Sequence, residues 1–134
     1  MKRLLLLLTA LVMLVSCEKQ TISEKYIGFW EGVLYAIIDS GDGEKIAIVQ
    51  NVIELTIDES ASYTCVIYKM QCPGGVPIKI GEGKTYKGDV IEMGESISFA
   101  KIFNDNIFKQ KFCSQHISCM FLVSSEYMLD LCKK

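Results

Sequence analysis

This sequence has very little arginine and histidine, and each shortage closes off a class of function. The only arginine is Arg3. Nucleic-acid and phosphate binders rely on a basic face and on bidentate guanidinium groups. The net charge here is −2, becoming −4 if a leader carrying Lys2 and Arg3 is removed. No nucleic-acid partner is expected. The only histidine is His116. A hydrolytic triad would need it beside an activated nucleophile, and the chain has no Gly-x-Ser-x-Gly elbow. Gly81-Glu82-Gly83-Lys84 lacks the spacing and the following helix of a phosphate loop. Aspartate and glutamate are plentiful, but solvated strand faces account for them more simply than a paired-carboxylate mechanism. The chain reads as a non-enzyme, with no catalytic residue, cofactor or resident metal to assign.

Long apolar runs are also missing. The longest, Leu4 to Val15, is shorter than the roughly 20 residues needed to cross a bilayer. It follows Lys2 and Arg3 and ends at Ser16, which gives the basic, apolar and small-residue parts of a secretory signal. Leu14-Val15-Ser16-Cys17 resembles the lipobox of bacterial lipoproteins. That resemblance implies a signal peptide over residues 1–16 and acylation of Cys17, palmitate being one such chain. It also implies a membrane partner through the lipid anchor. Several acyl chains, at about 0.8 kcal/mol per buried CH₂, would make the attachment essentially permanent. The family's sorting rule retains proteins with aspartate after the cysteine at the inner membrane. Glu18 therefore points to the outer membrane of a bacterial cell envelope.

The rest is long enough for one domain. Residues 17–25 are polar and read as the lipidated N-terminus and a tether, with the folded domain over 26–134. No stretch sustains a helical period. Tyr26 to Ile38 is rich in aromatic and β-branched residues and turns at Ser40-Gly41-Asp42-Gly43. Lys45 to Ile57 follows, and its Ile53, Leu55 and Ile57 alternate with Glu54 and Thr56, the period of two of a half-buried strand. Ser62 to Met70 completes a hairpin with it. Further strands are expected at 78–80, 84–92, 96–103, 107–113, 117–123 and 127–131, with Ile97, Phe99 and Phe103 on one face. Eight or nine short strands joined by tight turns make an all-β antiparallel meander. Closing it into an up-and-down barrel of about eight strands, lipocalin-like or OB-like, removes its exposed edges. A β-sandwich is the alternative. Such a barrel is just wide enough for side chains to fill, and the large apolar residues here predict a solid interior.

Both prolines sit in Met70-Gln71-Cys72-Pro73-Gly74-Gly75-Val76-Pro77. Neither suits a central strand, so this segment is expected to be a loop held nearly rigid by its prolines and a bridge at Cys72. It is the candidate partner-binding loop, because preorganisation spares the roughly 0.5–1.5 kcal/mol of ordering each immobilised side chain costs. Beyond Cys17 stand Cys65, Cys72, Cys113, Cys119 and Cys132, an odd number and all disulfide candidates in an oxidising envelope. Spacing does not choose among the pairings. Cys113, His116 and Cys119 have zinc-ligand spacing, with Cys72 or Cys132 available as a fourth ligand, but disulfides compete for the same thiols. No metal is assigned.

Gly28-Phe29-Trp30 resembles the Gly-x-Trp signature of the lipocalin-like, or calycin, barrels. In that family the tryptophan packs across the barrel base and the glycine permits close backbone approach, which implies those roles for Trp30 and Gly28. Leu55-Thr56-Ile57, Tyr63 and Tyr86-Lys87-Gly88 also resemble small bacterial lipocalin-like lipoproteins. In size, anchor, fold and Cys-Pro loop the chain is similar to the potempins, small barrel lipoproteins that inhibit proteases secreted by their own cell. The leading expectation is thus a membrane-anchored, non-catalytic protein binder, most concretely an inhibitor of a secreted protease. A carrier of a small apolar ligand and an accessory lipoprotein of an envelope complex are the alternatives.

Overall fold

A computed structural model of the protein describes residues 21–112 and 118–134. Cys17, the leader, Cys113 and His116 lie outside the described residues. Eight antiparallel strands form one closed barrel: β1 (Gly28–Asp39), β2 (Lys45–Ile57), β3 (Ser62–Gln71), β4 (Ile78–Met93), β5 (Ser96–Phe99), β6 (Ile107–Phe112), β7 (Cys119–Val123) and β8 (Tyr127–Lys133). Each strand pairs with its sequence neighbour, and β8 returns to β1 from Trp30↔Lys133 to Ala36↔Tyr127. That closure rules out the sandwich. The simple up-and-down order also rules out an OB-like arrangement, which is a five-stranded Greek key.

Closure depends on Gly32. A Cβ there would lie 1.8 Å from the Asp130 carbonyl oxygen, so only glycine lets β8 approach β1 at this rung. Alternation then builds the core. Ile53, Leu55 and Ile57 of β2 point inward with Tyr63 and Cys65 of β3, Ile97 and Phe99 of β5, and Leu129 and Leu131 of β8, all buried. Phe99 sits at the centre of an edge-to-face aromatic group with Tyr63, Phe103 and Phe108.

The first end of the barrel, the base, is closed by the segment before β1. Ile22 is buried, and Ser23 donates from its backbone N and its Oγ to the Glu92 carboxylate at 2.8 and 2.6 Å. A 3-10 turn, Glu24–Tyr26, follows. Trp30 is fully buried and donates from Nε1 to the Tyr26 carbonyl at 2.8 Å, while the Lys133 ammonium lies 5.5 Å from its ring centroid. Among the described residues the packed body already includes Ile22, inside the stretch 17–25 expected to be a tether. Ile22 brings apolar surface and Ser23 two hydrogen-bond donors that find partners at the base.

The other end is uneven. β1 and β2 stay paired to Asp39↔Lys45, but β8 leaves β1 at Ala36 and β3 leaves β2 at Val52↔Tyr68. β3 and β4 likewise continue to Gln71↔Ile78. Two hairpin arms, spanning residues 37–48 and 69–80, thus rise past the shorter wall of β5 to β8. Two of the expected strands, 78–80 and 84–92, are one strand, bulged at Gly81-Glu82-Gly83. The strand expected over 96–103 ends at Phe99.

Candidate functional site

The candidate features gather at the open end. At the foot of the first arm lies a β-bulge between Leu34 and Tyr35 of β1, where β2 contributes the additional residue Gln50. A bulge shifts the side-chain phase of the strand that bears it. Below it, Ile53, Leu55 and Ile57 face inward; above it, Ile46 and Ile48 do, opposite Ile38 and Ala36. The barrel's apolar lining therefore continues up the inner face of an arm that has no wall opposite it. Ile38, Ile46 and Ile48 remain 43–47% exposed. On the second arm Ile80 and Ile78 pair with Lys69 and Gln71 and share the inner parity of Ile67. Ile78 is also exposed.

The outer side of the second arm is pinned to the barrel. Lys79 bridges to Glu54 at 2.6 Å and its ammonium lies 4.9 Å from the Tyr68 ring centroid. The hydrogen bond to Glu54 holds the Lys79 pKa above its usual value. Both partners of this ion pair touch solvent, so it serves orientation more than stability.

Between the arms and the short wall lies an open cleft of about 520 Å³, lined by Leu34, Ile67, Tyr86, Phe103 and Tyr127 with Gln50, Asn51, Lys101, Asn104 and Asp105. Its far wall is an unusual turn. Phe103, Asn104 and Asp105 have φ of 55°, 52° and 53°, three successive left-handed residues. The turn is held by Tyr63, whose hydroxyl donates to the Ala100 carbonyl, and by Asn104 Nδ2, which donates to Glu126 Oε2 at 3.1 Å and to Tyr127 Oη at 3.2 Å. It drives the Phe103 ring down among Phe99, Phe108 and Tyr127. The interior is thus solid only below Phe103. The expectation of a barrel packed throughout fails at the mouth, where the tall strands have no partner wall to fill against.

The proline segment is the tip of the second arm. Met70 and Gln71 end β3, Pro73–Gly75 form a 3-10 turn, and Val76 and Pro77 lead into β4. Val76, 62% exposed, is its most accessible large apolar side chain. The tip is tied by backbone bonds from Gly75 N to Cys72 O and from Val76 N to Pro73 O, both 3.3 Å. No bridge anchors it: Cys72 is free, with Sγ 3.9 Å from Met70 Sδ.

No disulfide joins Cys65, Cys72, Cys119 and Cys132 to one another. Cys65 is fully buried inside the barrel, where burial pushes its thiol up to about 12. Cys72 lies at the opposite end of the barrel from Cys119 and Cys132 and cannot join them around a metal. Among the described residues, no group of three or more His, Cys, Asp or Glu is arranged to hold a metal ion. Gly28 and Trp30 lie together at the base; φ is 139° at Gly28, and a Cβ there would meet the Lys133 side chain at 2.6 Å.

The segment Met70 to Pro77 singled out in the sequence is the second arm's tip, whereas the first arm and the cleft were not evident there. A signal for the arm exists: Ile46 and Ile48 fall on even positions, whereas Ile53, Leu55 and Ile57 fall on odd ones. Such a phase break within one strand marks a bulge. The chain matches no protein-family model, no curated protein and no solved structure at a significant level.

Proposed function

We propose that this protein is a lipid-anchored, non-catalytic binding module that grips a protein partner with the two hairpin arms of its open end. The observation that carries the reading is the exposed isoleucine cluster, Ile38, Ile46, Ile48 and Ile78, on the inner faces of arms that no other strand covers, with Lys69 and Gln71 beside Ile80 and Ile78 on the second arm. Exposed apolar clusters of this kind mark interaction surfaces. A secreted protease is the most concrete partner, because a narrow hairpin tip bearing Pro73 and Pro77 suits insertion into a substrate cleft. The barrel below supplies preorganisation, since arms already paired as hairpins lose little freedom on binding.

Anchoring at Cys17 fits this use. Four residues separate Cys17 from the buried Ile22, five steps that reach at most about 18 Å at 3.3–3.6 Å per residue. Lipidation there would hold the base against an outer-membrane surface and point both arms away from it.

Ile48→Ser and Ile78→Ser test the reading. Both side chains are already substantially exposed, so each variant should stay within about 0.5 kcal/mol of the parent in stability while partner binding weakens at least tenfold. Unchanged binding by the double variant would move the interface off the arms.

A second reading has its own observation, the mouth cleft, which exceeds the roughly 300 Å³ at the lower end for ligand pockets. Its rim of Gln50, Asn51, Lys101, Asn104 and Asp105 suits a small polar or amphipathic ligand better than a lipid chain. A small molecule carried through native mass spectrometry would favour it.

A further inference from the structure

We propose that Cys119 and Cys132 form a disulfide site on the outer wall of the barrel base. β7 and β8 pair with Cys119 directly opposite Cys132, and the two Sγ atoms are 3.8 Å apart. Directly opposed antiparallel residues have Cα atoms about 4.5 or 5.5 Å apart, according to the rung. Both values fall within the roughly 4.4–6.8 Å that a disulfide spans. Bringing the sulfurs to the bonded distance of about 2.05 Å takes side-chain rotation, with the strands left where they are.

The surroundings favour the bond. The neighbouring Met120 and Leu131 are fully buried, so by alternation Cys119 and Cys132 face outward and closing the bond leaves the core untouched. Cys132 is exposed and Cys119 half-buried, which gives an oxidant access. The same corner is already a fastening point. Lys133 N donates to the Ser118 carbonyl at 2.6 Å, Lys134 N donates to the Phe29 carbonyl at 2.9 Å, and the Lys134 ammonium lies 3.2 Å from Glu31 Oε2. A bond here would lock the strand that closes the ring.

The chemistry is thiol–disulfide exchange with a disulfide-bearing oxidant, either an oxidoreductase or oxidised glutathione. One cysteine thiolate attacks a sulfur of the oxidant and expels one of its thiolates. The second cysteine attacks the resulting mixed disulfide and expels the other. Two protein thiols lose two protons and two electrons, and the oxidant's S–S bond becomes two thiols. The geometry is independent of the envelope reading; only the supply of oxidant in the cell rests on it.

The test uses the full chain, purified in detergent and incubated in a glutathione redox buffer, followed by alkylation of remaining thiols and peptide mapping. The expected product links Cys119 to Cys132 and is lighter by two hydrogens. It should be lost in Cys119→Ser and kept in Cys72→Ser. Alkylation of both Cys119 and Cys132 after oxidation, or a bridge from either to another cysteine, would overturn the pairing. The same mapping on protein taken directly from its cells, with thiols trapped at lysis, separates the two claims. A linked pair there supports both. A pair that forms in the buffer but is reduced in the cells leaves the pairing standing and refutes the oxidising-envelope reading.

Discussion

Phe103 offers the sharpest test of how the barrel mouth is built, because two forces on it oppose each other. Its ring is 7% exposed and lies 5.7–6.0 Å, centroid to centroid, from Phe99, Phe108 and Tyr127. Its backbone, at φ 55°, costs an L residue about 1–2 kcal/mol. Phe103→Ala removes the ring and keeps the strain, because Cβ remains; losing a buried phenylalanine costs roughly 3–5 kcal/mol. Phe103→Gly removes both ring and strain, so it should cost roughly 1 kcal/mol less, or about 2–4 kcal/mol. At an ordinary strand or helix position glycine is worse than alanine by roughly 0.5–1 kcal/mol. The order is therefore predicted to invert. Urea unfolding followed by fluorescence of Trp30, the only tryptophan, reads the difference directly. If the glycine variant is less stable than the alanine variant, the left-handed turn is not what carries Phe103 into the core. If both variants match the parent, the ring is not the plug.

Other expectations follow from the same packing. Gly32→Ala places Cβ 1.8 Å from a β8 carbonyl oxygen that cannot yield without opening the β1–β8 seam, so a loss of roughly 2–4 kcal/mol is expected by urea unfolding; a loss under 0.5 kcal/mol would show that the seam is loose. The Cys65 thiol, raised from 9.0 to about 12 by burial, binds its proton more tightly folded than unfolded. Its contribution is full below about pH 9 and is lost as pH rises from there toward 12. Cys65→Ala should therefore show a shallower decline in stability above pH 9 than the parent, and parallel declines would mean that Cys65 is not the group responsible. Closing the Cys119–Cys132 bond should raise stability by about 3 kcal/mol on the chain-entropy account of its loop, and the reduced and oxidised forms compared by thermal unfolding would show it.

Much of this fold was legible in the sequence because period-two alternation is a strong signal where one face is buried. Ile53, Leu55 and Ile57 announced β2 with its bounds, and the proline segment announced a break between β3 and β4. Three features resisted reading, each for a physical reason. A bulge changes side-chain phase without changing composition, so Gly81-Glu82-Gly83 looked like a gap between two strands, and the inner face of the first arm was hidden at Gln50. Phe103 occupies the core position expected of it but arrives there through a left-handed turn, which hydrophobic spacing does not encode. Cys119 and Cys132 became neighbours only once register set β7 against β8. The candidate site was legible at Met70 to Pro77 and illegible at the cleft, whose walls come from six separate segments.

The central claim is that the open end grips a protein. The most direct measurement immobilises residues 18–134 as bait for the secreted and envelope proteins of the same cell, beside the Ile48→Ser, Ile78→Ser double variant. A stoichiometric protease should be retained by the parent, inhibited by it, and released by the variant. Equal retention on parent and variant, or no protein retained while a small molecule co-purifies, would contradict that claim.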